Sequence, residues 1–212
     1  MPKATHLECS LCGIKYDALA VANLCACGGP LLVRYDLAVI RHRWPRREVA
    51  NGRANMWRYA PVLPPPDASV VTRGEGWTPL VRTKRLGARI GAEQLWVKDE
   101  GLNPTASFKA RGLCMAVTRA KALGLPGLCV PTAGNAGIAL SAYAAAARMK
   151  ARIYAPKTTP PPILGSIRAY GAELELVDGH IGDAGKATMQ FAKESGFFNV
   201  ATVREPYRVE GM

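Results

Sequence analysis

GLCVPTAGNAGIALSAYAAAARMKARIYAP, residues 127–156, is the stretch on which the fold turns. A short apolar run (GLCVPT, 127–132) ends in a glycine-punctuated turn, an alanine-rich stretch of helical length follows, and a second apolar run (ARIYAP, 151–156) closes the unit. Strand, helix and strand in that order make a βαβ crossover, which implies parallel strands and a right-handed connection. Outward from this unit the alternation continues. Further strands are predicted at QLWVKD (94–99), AELELVD (172–178) and FFNVAT (197–202), and helices at about 107–123, 135–149, 163–170 and 183–195. Residues 78–212 thus predict an α/β domain on a parallel sheet, in which ligands gather beyond the carboxyl ends of the strands, where loops enter helices.

Two such loops are chemically equipped. In PTAGNAG (131–137), Thr132, Gly134, Asn135 and Gly137 follow a strand and open a helix, leaving unpaired amides suited to a carboxylate or phosphate. Glycine-rich turns also serve helix–sheet packing, so the signal is weak by itself. In GLNPTASFKARG (101–112), Thr105 and Ser107 are capable helix caps and Lys109 falls in a helix's first turn. A lysine there is usually an exposed surface charge; as a nucleophile it needs burial or a positive neighbourhood to hold a neutral amine. GHIGDAGKAT (179–188) only imitates a nucleotide loop: Gly179 and Gly185 are one residue too far apart, and Ala187 stands where Ser or Thr is required. It reads as a turn into a helix. His6, His42 and His180 are scattered and suggest no acyl-transfer triad.

The amino-terminal segment has another character. Cys9 and Cys12 precede Cys25 and Cys27 by twelve intervening residues, and Gly13, Gly28 and Gly29 permit tight turns beside them. Four thiolates from two close pairs suit a structural zinc ribbon, against the alternative of reduced, metal-free thiols; a CxC second pair leaves His6 as a replacement ligand. Residues 36–60 carry Arg41, Arg43, Arg46 and Arg47 around Trp44, followed by MWRY (56–59). Such a run is more often a solvated face than a nucleic-acid grip. APVLPPPD (60–67) reads as a linker or extended strap. The expected organisation is a ribbon-like segment (1–35), a basic, proline-rich connector (36–77) and the α/β domain (78–212). Twenty-eight Lys and Arg against sixteen Asp and Glu give a charge of +12, which favours anionic ligands without selecting one. No apolar run reaches the roughly 20 residues of a membrane helix, and none has signal-peptide form, so the expected setting is the cytoplasm.

Five ordered blocks carry a resemblance: GEGWTPL (74–80), VKDEGLNPTASFKARG (97–112), PTAGNAG (131–137), YGAELELVDGHIGDAGK (170–186) and REPYRVEG (204–211). They resemble the fold-type II pyridoxal-phosphate enzymes, and among these the threonine synthase family, whose zinc-bearing members the cysteine segment and MWRY also resemble. The resemblance implies that Lys109 links covalently to pyridoxal phosphate, that Asn135 hydrogen-bonds the cofactor's phenolic oxygen, and that Thr132, Ala133, Gly134, Asn135 and Ala136 receive the substrate carboxylate. Ala106 stands where many members have glycine.

The implied activity is a carbon–oxygen lyase reaction that turns O-phosphohomoserine and water into threonine and phosphate. Members are roughly twice this length and their later half supplies the cofactor's phosphate loop, so the expectation is a fragment that is inactive alone and a homo-oligomer when complete. Related lyases and cysteate synthase share both loops and are the nearest alternatives. A non-catalytic basic zinc-ribbon module is the alternative from another class. No specific nucleic-acid or membrane partner is expected.

Overall fold

The computed structural model describes residues 4–63 and 70–212, so residues 64–67 of the proline-rich strap lie outside the described residues. The amino-terminal segment forms a three-stranded antiparallel sheet in the order β2-β1-β3, from β1 (Ala4–Cys9), β2 (Lys15–Asp17) and β3 (Leu31–Tyr35). Strand alternation turns Leu7 and Cys9 inward and His6 and Glu8 outward along β1. Next come α1 (Leu37–Arg43), capped by Asp36 through the Val39 amide at 2.9 Å, α2 (Arg46–Ala50), and a 3-10 stretch over Met56–Val62. The arginines of the basic run are exposed, whereas Met56 and Trp57 pack into the core.

β4 (Leu80–Arg82), α3 (Lys84–Arg89) and β5 (Trp96–Lys98) form a small unit in which β4 and β5 pair antiparallel. This corrects the expectation for QLWVKD, which does not join the parallel sheet. Its short apolar run fits either pairing, and all three residues of β5 are exposed, as those of a buried parallel strand are not.

The central alternation holds. α4 (Lys109–Ala122), β6 (Gly127–Pro131), α5 (Asn135–Ala147), β7 (Lys150–Pro156), α6 (Pro161–Ala169), β8 (Glu173–Val177), α7 (Ile181–Ser195) and β9 (Phe198–Asn199) follow in turn, and α8 (Pro206–Gly211) comes last. Four parallel strands lie in the order β8-β7-β6-β9. The chain therefore steps outward from β6 to β8 and returns through α7 to the far side of β6. Right-handed crossovers put α5 and α6 on one face and α7 on the other; accordingly α5 touches α6, while α7 touches β6, β7, β8 and β9. The turn expected before α7 is present: Asp183 accepts the His180 amide at 3.1 Å as a capping box.

One core runs through the described molecule, from Leu7 and Leu31 of the amino-terminal sheet past Trp57 to Leu113, Leu128 and Leu140. Each fully buried leucine contributes roughly 1.5–3 kcal/mol. The amino-terminal segment is tied to this body by polar bonds as well. Ala18 carbonyl accepts from Arg119 Nη2 at 2.6 Å and from the Tyr207 hydroxyl, Asn23 Nδ2 donates to Asn199 carbonyl at 2.8 Å, and Tyr35 donates to Glu210 at 3.0 Å. Among the described residues no helix is long and apolar enough to cross a membrane.

Candidate active site

α4 leads into β6 and α5 leaves it, so both helices run opposite to that strand and both begin at its carboxyl end. Lys109 is the first residue of α4 and Asn135 the first of α5. The two side chains thus share the end of the sheet at which the strand order reverses, where open α/β sheets bind ligands.

Lys109 is partly buried, its Nζ 4.1 Å from the centre of the Phe108 ring and 3.9 Å from Met212 Sδ. Burial, and then the positive charge of Arg208, lower its pKa and favour a neutral amine. Arg208 is itself 1% exposed; its Nη1 donates to Val200 carbonyl, while Nε and Nη2 have no partner among the described residues. Thr105 and Ser107 do not cap the helix. The N-cap is Phe108, without a side-chain bond, and both hydroxyls are buried with no partner among the described residues. Donor hydroxyls left unpaired immediately before a depressed-pKa lysine fit a site that takes a polar ligand. Ala106 has φ +53°, a left-handed conformation that explains why glycine suits this position.

In the second loop the Asn135 side chain is exposed, and the amides of Asn135 and Ala136 occupy helix positions without an intrahelical acceptor. Thr132 is buried and turned to the loop itself. Its Oγ1 accepts from the Gly134 amide at 3.0 Å and the Gly137 amide at 3.1 Å and donates to Gly134 carbonyl at 2.9 Å. Its hydroxyl is thereby engaged in holding the turn's shape. A Cβ on Gly137 would lie 2.5 Å from Thr132 Cγ2, so the turn closes only around glycine.

Sequence reading missed three participants. Glu100 is clamped by Arg111, whose Nε and Nη2 donate at 2.7 and 2.8 Å; this fork, helped by Thr78 and Asn103, holds the carboxyl at about 2 and joins the two ends of the lysine loop. Their shared place within one block, flanking the loop, was the available signal. Glu75, between two glycines of GEGWTPL, is wholly buried, and Arg208 is buried in REPYRVEG. A cleft of about 490 Å³ opens beside the loop, lined by Met56, Tyr59, Lys98, Phe108, Arg111 and Glu210 among others; neither Lys109 nor Asn135 lines it.

At the amino terminus the Sγ atoms of Cys9, Cys12, Cys25 and Cys27 all lie within 4.8 Å of one another, with three pairs at 3.5 Å. Four sulfurs at about 2.3 Å from a tetrahedral ion stand about 3.8 Å apart, so the cluster fits zinc. The Leu11 amide points at Cys9 Sγ from 3.4 Å, and a Cβ on Gly29 would come within 2.7 Å of that sulfur. His6 projects from the opposite face of β1 toward Thr5 and Glu8, so the reserve ligand is not brought to the cluster.

Residues 71–212 match the family model described as pyridoxal-phosphate dependent enzyme. The threonine synthase of Methanocaldococcus jannaschii is 35% identical over 206 residues, covering 96% of this chain and 51% of that protein. That of Methanosarcina acetivorans is 33% identical over 210 residues, covering 97% and 50%. The chain therefore spans about half the length of the curated relatives it matches. Among solved structures, a pyridoxal 5'-phosphate-dependent aspartate racemase is 27% identical with a TM-score of 0.59, covering 63% of this chain and 42% of that one. Escherichia coli diaminopropionate ammonia lyase, solved with an aminoacrylate reaction intermediate, is 25% identical with a TM-score of 0.59, covering 66% and 42%.

Proposed function

The chain belongs to the pyridoxal-phosphate-dependent enzymes of fold type II, and from that premise we propose that it carries the lysine-bearing half of a threonine synthase-type carbon–oxygen lyase. The overall reaction is conversion of O-phosphohomoserine and water to threonine and phosphate. The observation that carries this reading is the placement of Lys109 and Asn135 at the first positions of two neighbouring helices, at one end of β6. The identity to threonine synthases along nearly the whole chain supports this member over its relatives.

Lys109 would hold pyridoxal phosphate covalently and Asn135 would donate its amide to the phenolic oxygen. When bound, the cofactor supplies an electron sink for negative charge developing on the substrate's α and β carbons. Lys109 would take and return protons at those two carbons; burial and the positive charge of Arg208 lower its pKa, which favours the neutral amine that work needs. The turn from Thr132 to Ala136 receives the substrate carboxylate on its unpaired amides, with Thr132 keeping those amides aimed. The basic excess favours approach of a doubly anionic substrate. Cys9, Cys12, Cys25 and Cys27 hold one structural zinc, closed to catalysis because all four positions are sulfur. The setting is cytoplasmic, where thiols stay reduced, and the complete enzyme is a homo-oligomer.

The test is threonine formation from O-phosphohomoserine by a polypeptide extended to the relatives' length. Turnover that vanishes in Lys109→Ala with the fold retained is the expected result. Ammonia release from diaminopropionate without threonine formation would instead favour the lyase reading that the E. coli structure suggests.

A further inference from the structure

We propose that Glu75 is a positioning residue, whose buried carboxylate sets α4 against α5 and thereby Lys109 against Asn135. The inference rests on the cofactor reading above for its functional meaning, and on geometry alone for its structural one.

Glu75 is fully buried, and five neutral groups donate to it. Oε1 accepts from Trp57 Nε1 at 2.8 Å, Thr72 Oγ1 at 2.8 Å and Cys114 Sγ at 3.0 Å; Oε2 accepts from the Tyr143 hydroxyl at 2.6 Å and the Arg73 amide at 3.0 Å. Cys114 lies on α4 a little over one turn beyond Lys109, and Tyr143 on α5 about two turns beyond Asn135. One carboxylate therefore bridges the two helices whose first residues make the site.

The same turn reaches the lysine loop. The Gly76 amide donates to Asn103 Oδ1 at 3.0 Å, and Asn103 Nδ2 donates to Glu100. At φ +90° a Cβ on Gly76 would come 2.6 Å from the Met56 nitrogen, so the backbone under Glu75 has one place to sit. The helix interface offers little steric register of its own, because α5 presents mostly small buried residues such as Gly137, Ala139, Ala142 and Ala144. Directional, charge-assisted bonds supply what those smooth surfaces lack. Burial pushes the Glu75 carboxyl up, but the bonds from Cys114, Tyr143 and the Arg73 amide outweigh it and hold the group below its ordinary value. Each oxygen accepts from one N–H that can only donate, the Trp57 indole at Oε1 and the Arg73 amide at Oε2, so glutamine is a poor replacement: its NH2 end would face one of these donors whichever way the amide turned.

The test uses the 212-residue chain and two conservative variants. Tyr143→Phe removes the bond to α5, whereas Trp57→Phe removes one from a residue on neither helix. Amide exchange is read at 113–116 and 139–142, the amides that bond back to the first turns of α4 and α5. Borohydride-trapped pyridoxal phosphate at Lys109 is read alongside. In Tyr143→Phe we expect exchange at both segments to speed at least tenfold relative to β7 and β8, and trapping to fall at least threefold. Trp57→Phe should lower thermal stability with neither local change. Uniform acceleration in Tyr143→Phe, or the same local pattern in Trp57→Phe, would overturn the inference and leave Glu75 an ordinary core group. Should a polypeptide extended to the relatives' length not be trapped at Lys109, the cofactor reading fails while the exchange comparison still decides on Glu75.

Discussion

The cysteine cluster and the Lys109–Asn135 loops solve opposite problems. At the cluster, four side chains drawn from nineteen consecutive residues point at one another, and every sulfur lies within 4.8 Å of the rest. At the loops, polar groups are left without partners: Asn135 is exposed, and the buried Thr105 and Ser107 hydroxyls have no partner among the described residues. The first site is built by local turns and spends its groups on structure. The second is built by long-range packing of α4 on α5 and keeps its groups free. α8 links the two, since it packs against both β3 and α4. The cysteine cluster is thus marked by convergence, and the two loops by groups held in place but left unsatisfied.

The largest expected effect breaks the first half of that contrast. Cys12→Ser, or a strong chelator, should remove about one zinc per chain; structural zinc in isolated fingers is worth about 10–16 kcal/mol, so residues 4–35 should lose exchange protection. Protection in β6 and β7 should survive. Metal analysis with exchange mass spectrometry checks this, and free alkylation of all four thiols in an otherwise unchanged fold would refute it.

A smaller effect falls on the link. Burial raises the Glu205 carboxyl, which accepts the Tyr207 amide at 3.1 Å and the Arg208 amide at 2.5 Å at the start of α8, from 4.5 to about 7. The folded state then holds the proton more tightly than the unfolded chain. Its stability contribution is full below pH 4.5 and is lost as pH rises through about 7. The loss amounts to up to about 3 kcal/mol. Urea unfolding between pH 5 and 8 should show that decline in the parent protein and a flatter profile in Glu205→Gln.

The smallest sharpens the second half. Ala106→Gly relieves a left-handed alanine at φ +53° and should stabilise the chain by about 1 kcal/mol, raising Tm by about 2–4 °C. Calorimetry decides; an unchanged or lower Tm contradicts the strain.

What could be read from the chain was what local pattern encodes. The helices from 109 to 195 and the strands between them follow from apolar runs broken by glycine turns, and the cysteine pairs from their spacing. Pairing partners were not legible. WVK at 96–98 joins LVR at 80–82 antiparallel, and nothing in either tripeptide states its partner. Nor was Glu75, a carboxylate between two glycines that resembles an exposed turn until Trp57, Cys114 and Tyr143 close over it from distant parts of the chain. Lys109 and Asn135 were named through the family resemblance; that they share one end of β6 follows from the sheet order. Thr132 was named for a ligand, while the structure gives its hydroxyl to the loop.

The most direct test of the lysine assignment needs only this chain. Incubated with pyridoxal phosphate, reduced with borohydride and digested, it should yield a labelled peptide containing Lys109, and Lys109→Ala should lose that label while keeping its circular dichroism. Labelling at another lysine, or undiminished labelling of a folded Lys109→Ala, would contradict the account.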